Sequence, residues 1–357
     1  MNRVKFGDIV KDVKVNVDRQ NNPYEFYIAG DHMDSEDLTI HRKGRFATDD
    51  VGPAFVRIFK PGQVLYGSRR TYLKKIAVAD FSGICANTTF VFESKDKTIF
   101  EQRLLPFIML SDSFTSWSIS KSKGSTNPYV LFSDLADYEF DLPSLEEQKV
   151  LADKLWAAYR LKEGYKRLLA ATDEMVKSQF IEMFGTSCDS VKTILSDFVS
   201  LKAGKNKKSE LIKDVFTDGL YPCYGGNGIR GYVEDYTHSG IYCIIGRQGA
   251  QCGNVQIAEG EFYATEHAVV VTPLTDVNSI WLFHALTQMN LNQYARGAAQ
   301  PGLAVNQLEI LPFSLPSIAS QTQFALIAEQ ADKSKSHVLK ALKETEILLQ
   351  HSIRQVV

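Results

Sequence analysis

Residues 145–184 read LEEQKVLADKLWAAYRLKEGYKRLLAATDEMVKSQFIEMF, and this stretch decides the fold. Leu142-Pro143-Ser144 precede it, Gly185 follows it, and inside it there is no proline and one glycine, Gly164. Apolar or small residues recur at Leu151, Leu155, Ala158, Tyr165, Leu169, Thr172, Val176 and Phe180, with Lys162 filling one place. Steps of three and four make a narrow heptad-like seam rather than a broad core-facing stripe. Pro143 cannot donate to a continuing strand, Glu146 and Glu147 suit the positive end of a helix, and Gly185 is a good stop. A helix over all these positions would reach about 60 Å at 1.5 Å per residue. Such a helix outgrows a small domain and needs a partner along its seam.

That partner is in the same chain. At an offset of 173 positions, Leu142-Pro143-Ser144-Leu145 with Gln148 becomes Leu315-Pro316-Ser317-Ile318 with Gln321. The seam returns as Phe324, Ala328, Ala331, Val338, Leu342, Thr345, Leu349 and Ile353, and Lys335 falls opposite the break at Lys162. Upstream, Gly124-Ser125-Thr126-Asn127-Pro128 matches Gly297-Ala298-Ala299-Gln300-Pro301, and Leu135 matches Leu308. An ungapped offset of this length is an internal repeat. The expected fold class is α/β: two mixed α/β domains, 1–144 and 186–317, separated by two long antiparallel helices, 145–185 and 318–357, as a coiled coil.

With 357 residues the chain has room for two cores. Its composition is that of an ordinary soluble globular protein, no run approaches a membrane span, and Met1-Asn2-Arg3-Val4-Lys5 is not a signal-peptide start. The five cysteines, Cys85, Cys188, Cys223, Cys243 and Cys252, show no metal-ligand spacing, and their odd number fits a reducing, cytoplasmic setting. Net charge is −2, whereas a protein that grips nucleic acid alone is usually basic. Positive charge is then either local or supplied in part by a partner.

In the first domain, strand patterns cover Phe55–Phe59, Val64–Arg70, Ile76–Ala79 and Thr88–Phe92, with a helix pattern over Leu104–Ser120. In the second, Ser239–Arg247 reads as a strand ending in a loop, and Phe262–Val271 takes the part of residues 84–92. Ile280–Tyr294 reads as a helix. The helices and their flanks repeat closely while the loops diverge, which suggests two readers on one frame.

Gly226-Asn227-Gly228-Ile229-Arg230-Gly231 matches G-x-G-x-x-G, but Tyr221-Pro222-Cys223-Tyr224 before it and Tyr232-Val233-Glu234 after it lack the strand and helix of a dinucleotide site. It reads as a surface loop, or as a nucleic-acid contact loop with Asn227 and Arg230 as donors. Asn127-Pro128-Tyr129 resembles the adenine-seating motif of amino-methyltransferases with one proline missing, and it reads as a bend after a helix. His267, in an alternating stretch, reads as a structural histidine. No hydrolase triad, carboxylate dyad or phosphate-cradling loop is evident.

Basic residues gather in loops: Arg42, Lys43 and Arg45; Arg69 and Arg70; Lys74 and Lys75; Lys121 and Lys123; Lys202, Lys205, Lys207 and Lys208; and Arg230, Arg247 and Arg296. Such runs are usually solvated surface. Here Arg69-Arg70 and Arg247 follow equivalent strands, and Lys123-Gly124 and Arg296-Gly297 share a repeat position, so phosphate or base contact is an equal alternative. Arginine suits guanine edges, and Gln248, Gln251 or Asn254 could read adenine.

These residues together resemble the specificity (S) subunit of type I restriction–modification systems, over essentially the whole chain. The most specific parts are Gly124-Ser125-Thr126, Leu131, Leu135 and Leu142-Pro143-Ser144-Leu145-Glu146-Glu147-Gln148. In the second half they are Tyr224-Gly225-Gly226-Asn227-Gly228-Ile229 and Gly246-Arg247-Gln248-Gly249-Ala250-Gln251-Cys252-Gly253. The copy departs at Gly297-Ala298-Ala299-Gln300-Pro301 and at Ala319-Ser320. The resemblance implies two target-recognition domains, each reading half of a split, asymmetric site in double-stranded DNA, with the helices as spacer. It implies docking of two methyltransferase (M) subunits on the helical regions and joining of restriction (R) subunits. S-adenosylmethionine, Mg and ATP would be held by those partners, and this chain would hold no cofactor and do no catalysis. Self-association of the isolated chain is open. The alternatives are a self-contained DNA adenine methyltransferase or nuclease, and a coiled-coil assembly protein that reads no sequence.

Overall fold

The computed structural model describes residues 2–18, 21–185, 191–249, 252–297, 301–354 and 356. Cys188, Ala250, Gln251 and the copy at Ala298-Ala299-Gln300 therefore lie outside the described residues. The chain forms two compact units, Met1–Lys166 with Lys340–Val357, and Arg167–Leu339. The two long helices run unbroken over Leu145–Phe184 and Ile318–Arg354, so each contributes to both units.

Local chemistry explains where the helices start and stop. The Ser144 N–H donates to Glu147 at 2.9 Å while the Ser144 hydroxyl faces the Glu147 N–H at 3.4 Å, a reciprocal capping box. In the copy, Ser320 replaces the glutamate, and its N–H still donates to the Ser317 hydroxyl at 3.3 Å. At the far end of the first helix the Gly185 N–H donates to Ile181 O at 2.7 Å.

In the first unit, a sheet of Val10–Asp12, Thr89–Ser94, Val64–Gly67 and Ile76–Val78 packs its core face on helices Leu105–Leu110 and Asp112–Lys121. A second sheet joins Gly44–Arg45, Phe26–Ile28, Gly83–Ala86 and Phe55–Phe59. Phe6, Tyr66, Phe92, Phe107 and Phe114 form the centre of the main core, and Leu155, Tyr159, Leu349 and Ile353 of the long helices close it. The helix expected over Leu104–Ser120 is two helices. The Ser111 hydroxyl accepts from the Phe114 N–H at 3.2 Å, so a new N-cap interrupts the pattern.

The second unit has one sheet of six strands: Val199–Ala203, Ala268–Pro273, His238–Gly246, Val255–Ala264, Tyr221–Gly225 and Gly228–Val233. Its registers reproduce those of the first unit. Val64 faces Phe92 and Gly67 faces Thr89; at an offset of 179, Cys243 faces Val271 and Gly246 faces Ala268. Where Pro61-Gly62 breaks the first unit into strands 55–59 and 64–67, the copy carries Gly240-Ile241 and stays one strand, merging two sheets into one. Proline gives no ladder N–H, and Gly62 turns at φ 83°. Trp281, Phe313, Leu286 and Val269 form this core with Val176, Phe180, Phe324 and Ala328 of the long helices.

The helices pack antiparallel. In the second unit Asp173 meets Lys335 at 2.6 Å and Phe180 meets Phe324 at 5.2 Å between ring centroids, one number rising as the other falls. The seam residues Leu151, Leu155, Ala158, Tyr165, Leu169, Val176, Phe324, Ala328, Ala331, Val338, Leu342 and Leu349 are all buried or half-buried. The lysines that interrupt the seam keep carboxylates beside them, Lys162 near Glu163 at 3.6 Å and Lys335 at Asp173.

Each unit is fastened to its long helix by one glutamine, itself 1 % exposed. Gln148 Nε2 donates to Pro143 O at 2.9 Å and Ile99 O at 3.0 Å, and its Oε1 accepts from the Glu101 N–H at 2.9 Å. Gln321 repeats this with Pro316 O at 2.9 Å and the Asn278 N–H at 2.9 Å. In the first unit a further tie comes from the loop at 37–39: Tyr159 Oη donates to Asp37 at 2.5 Å and accepts from the Leu38 N–H at 2.9 Å.

Two expectations follow. Gln148→Met, of similar volume, takes the partner from three part-buried backbone groups and should destabilise the first unit by about 2–4 kcal/mol, roughly 1 kcal/mol per group, because each keeps some access to water. Chemical denaturation followed at Trp117 and Trp156 measures it, and a loss below about 0.5 kcal/mol would refute it. The second concerns acid. Burial opposes ionisation of Asp37, but donation from Tyr159, the Thr39 N–H and His41 outweighs it and holds the carboxyl below its usual range. A lowered folded value means stability complete above the unfolded value, roughly 4, and lost as pH falls through the folded one. Tyr159→Phe should flatten that acid limb of a stability–pH curve; superimposable limbs would contradict it.

Candidate nucleic-acid interface

The same five backbone hydrogen bonds build a loop platform in each unit. In the first, the Ser68 N–H donates to Thr88 O (3.2 Å), Val130 N–H to Ser68 O (2.9 Å) and Arg70 N–H to Pro128 O (2.7 Å), while Lys123 and Tyr129 exchange bonds at 2.8 and 2.9 Å. In the second, the Arg247 N–H donates to His267 O (3.1 Å), Leu303 N–H to Arg247 O (2.9 Å) and Gly249 N–H to Pro301 O (3.0 Å), while Arg296 and Gly302 exchange bonds at 2.9 and 2.8 Å. Gly124 and Gly297 turn both platforms with φ of 88° and 104°, a conformation that favours glycine.

This register corrects one equivalence. Arg247 stands where Ser68 does, Gln248 where Arg69 does, and Gly249 where Arg70 does. Both strands end on a basic loop, but the arginines are one step out of phase. Lys123 and Arg296 are equivalent, as the repeat predicts.

In the first unit Arg69 and Arg70 are exposed, and among the described residues their side chains enter no ion pair or hydrogen bond. Arg70 and Lys74 both adopt left-handed backbone conformations, with φ of 52° and 46°, around exposed Tyr72. The other basic candidates are tied down. Lys74 pairs with Glu36 at 3.1 Å and Asp112 at 3.4 Å, Lys75 donates to Gly30 O, and Lys123 pairs with Asp134 at 2.9 Å. Burial works against ionising Asp134, yet Lys123 and the Leu131 N–H hold its carboxyl below the usual range. Lys121 lies over the Trp117 ring at 4.5 Å.

In the second unit several loops converge. Gly226-Asn227 is the turn between strands Tyr221–Gly225 and Gly228–Val233, a hairpin the sequence pattern did not disclose. A Cβ on Gly226 would stand 3.3 Å from His267 O and 3.5 Å from Gln248 O, so the turn packs closely on both and a side chain there would push His267 O aside by a few tenths of an ångström. Asn227 accepts from Asn254 at 3.4 Å, and Arg230 donates to Ser209 at 2.9 Å. The Lys205 N–H anchors the basic loop on Ala264 O at 2.9 Å. Lys205 and Lys208 are exposed, while Lys207 pairs with Asp235 over the Tyr263 ring. Arg247, Gln248 and Arg296 line a cavity of about 400 Å³ with Gly302, Asn306 and Gln307. Arg296 donates to Gln307 through Nε at 2.6 Å once the amide oxygen faces it.

His267 is not the satisfied strand histidine that alternation suggests. It lies on the turn before strand Ala268–Pro273, its side chain is 39 % exposed, and its Nε2 is 3.3 Å from Glu266. Glu266 and Gln307 escaped the sequence reading because neither belongs to a basic run. Their positions beside Arg247 and Arg296 emerge only from the backbone register.

Among the described residues, Asp37, His41 and Glu163 are the one group of histidine, cysteine and carboxylate atoms close enough for a metal, within 4.8 Å. Asp37 there already accepts from Tyr159, Thr39 and His41, and Glu163 lies beside Lys162 and Lys166. Hydrogen bonds and ion pairs account for it. Among the described residues no helix is long and apolar enough to cross a membrane.

The family described as "Type I restriction modification DNA specificity domain" matches residues 19–169 and again 189–347. The specificity subunit of the type I restriction enzyme EcoprrI from Escherichia coli is 45 % identical over 157 residues, 44 % of this chain and 39 % of that protein. The EcoDI specificity subunit from the same species is 26 % identical over 182 residues, 50 % of this chain and 39 % of that protein. The alignments thus span about two-fifths of those relatives. In three dimensions the S subunit of a type I restriction–modification system from M. genitalium aligns over 99 % of this chain and 95 % of its own, with TM-score 0.68 and 14 % identity. A chain from a structure of type I restriction–modification complex assembly and conformational transition aligns over 99 % and 97 %, with TM-score 0.57 and 19 % identity. These two show a shared fold. With the family's domain matched twice across most of its length, the chain belongs to the type I restriction–modification DNA specificity family.

Proposed function

We propose that this chain is the DNA-reading subunit of a type I restriction–modification complex. Each unit reads one half of a split, asymmetric duplex site with its loop platform. The supporting observation is a backbone frame held constant by matched hydrogen bonds while its side chains change: Ser68, Arg69 and Arg70 against Arg247, Gln248 and Gly249. A scaffold that repeats while its loop residues differ suits recognition of two different sequences. The unpaired Arg69 and Arg70 suit phosphates or guanine edges, and Gln248 suits adenine. A net charge of −2 suits a reader whose partners supply much of the phosphate contact.

Methyl transfer and cleavage belong, on this reading, to partner methyltransferase and restriction subunits, which carry S-adenosylmethionine, Mg and ATP in the cytoplasm. The long helices offer the docking surface and set the gap between half-sites.

Arg247→Ala should weaken binding of the assembled complex by about 1–3 kcal/mol through one half-site only. Competition with duplexes altered in either half measures this, and equal weakening on every sequence would make Arg247 a phosphate contact. Inserting four residues near Ala170, with a matching insertion near Val338, adds roughly one turn of 5.4 Å to each helix. The tolerated gap between half-sites should lengthen; an unchanged gap would remove the helices from that role.

A further inference from the structure

Three buried polar atoms on residues of the second platform find no hydrogen-bond partner among the described residues: Arg247 Nε, Glu266 Oε2 and His267 Nδ1. They sit on adjoining residues: the Arg247 N–H donates to His267 O at 3.1 Å, and a Glu266 carboxylate oxygen is 3.3 Å from His267 Nε2. A buried polar group left unpaired is costly, so native structures keep few of them. The first platform has Ser68, Asn87 and Thr88 at these places, and none of them is left unpaired in that way.

The three atoms differ in hydrogen-bonding sense. Arg247 Nε is a donor. Glu266 Oε2 is an acceptor, and with the imidazole Nε2–H donating to the carboxylate, His267 Nδ1 is left as an acceptor too. The side chains of Glu266 and His267 are 34 % and 39 % exposed, so rotation about their terminal torsions carries these atoms outward. Gly249, with open space where a Cβ would stand, places no side chain over the approach.

We propose that Arg247, Glu266 and His267 form the base-reading face of the second unit and that this face takes a G·C pair from the major groove. The pattern fits edge by edge. Guanine presents two acceptors, N7 and O6, to the arginine, and cytosine presents an N4 amino donor to the carboxylate and imidazole. A thymine or a guanine in the cytosine's place would set a carbonyl oxygen against the Glu266 carboxylate. This assignment rests on the DNA-reading function proposed above and adds the identity of one base pair and two residues to it.

The test is to map methylated adenines in the genome of the cell that encodes this chain, with the chromosomal copy intact, changed to Glu266→Gln, or changed to His267→Asn. The intact chain should direct methylation to a two-part site with a G·C pair in one half. A glutamine both donates and accepts, so Glu266→Gln should tolerate pairs presenting a carbonyl oxygen there, with discrimination falling about ten-fold or more and every other position unchanged. An unchanged site, or equal loss of methylation at all sites with the complex still assembled, would overturn the proposal. If Glu266→Gln does not accumulate, His267→Asn decides, with relaxation at the same pair expected and an unaltered site contradicting it. A wild-type map with no two-part site would overturn the DNA-reading function itself, and this assignment with it.

Discussion

A single buried amide at the root of each long helix holds the architecture together. Gln148 and Gln321 each bond to the carbonyl of the proline five residues earlier in their own chain and accept from a backbone N–H of the globular part. The amides themselves are almost fully buried, so leaving them unpaired is costly, and the helix start and the globular fold keep one relative placement within each unit. The apolar contacts around them, Leu155 and Tyr159 in one unit and Phe324 and Ala328 in the other, supply bulk stabilisation without that directional demand. The amide gives position; the apolar surface gives strength.

A fixed root leaves the platform loops free to vary. The matched hydrogen bonds run backbone to backbone, so they constrain the path of the chain and are indifferent to the side chains. Serine can become arginine at 68 and 247, or arginine become glutamine at 69 and 248, without loss of a single frame bond. Glycine is favoured where the frame turns left-handed, at Gly124, Gly249 and Gly297. The DNA-reading function proposed for this chain needs that separation, because a reader must change its sequence preference without refolding.

The parts legible in the sequence were those with long periodicity or an ungapped repeat. The start of the second helix at Ile318 follows from Leu145 by the same offset that aligns Gly124 with Gly297. Strand registers were harder, because loop lengths differ between the copies and the strand bodies follow a second offset, visible only when Gly67–Thr89 is laid on Gly246–Ala268. Matching arginine to arginine then put Arg247 one place out, since charge is conserved by loop chemistry and register by backbone bonding. The break at Ser111 and the hairpin around Gly226 were missed for a local reason. A serine cap inside an apolar run and a glycine turn between aromatic strands both depend on dihedral angles that composition does not fix. Glu266 draws no notice in the sequence and His267 reads there as a structural histidine, because the position of both beside Arg247 comes from the strand register.

The claim on which all this rests is that one frame, used twice, carries two separate readers. Its most direct test compares adenine methylation across the genome with this chain present and with it deleted. One class of methylated sites should vanish on deletion, each made of two different short sequences separated by a fixed gap. Methylation that is unaffected by the deletion, or that falls on a single continuous sequence, would contradict it.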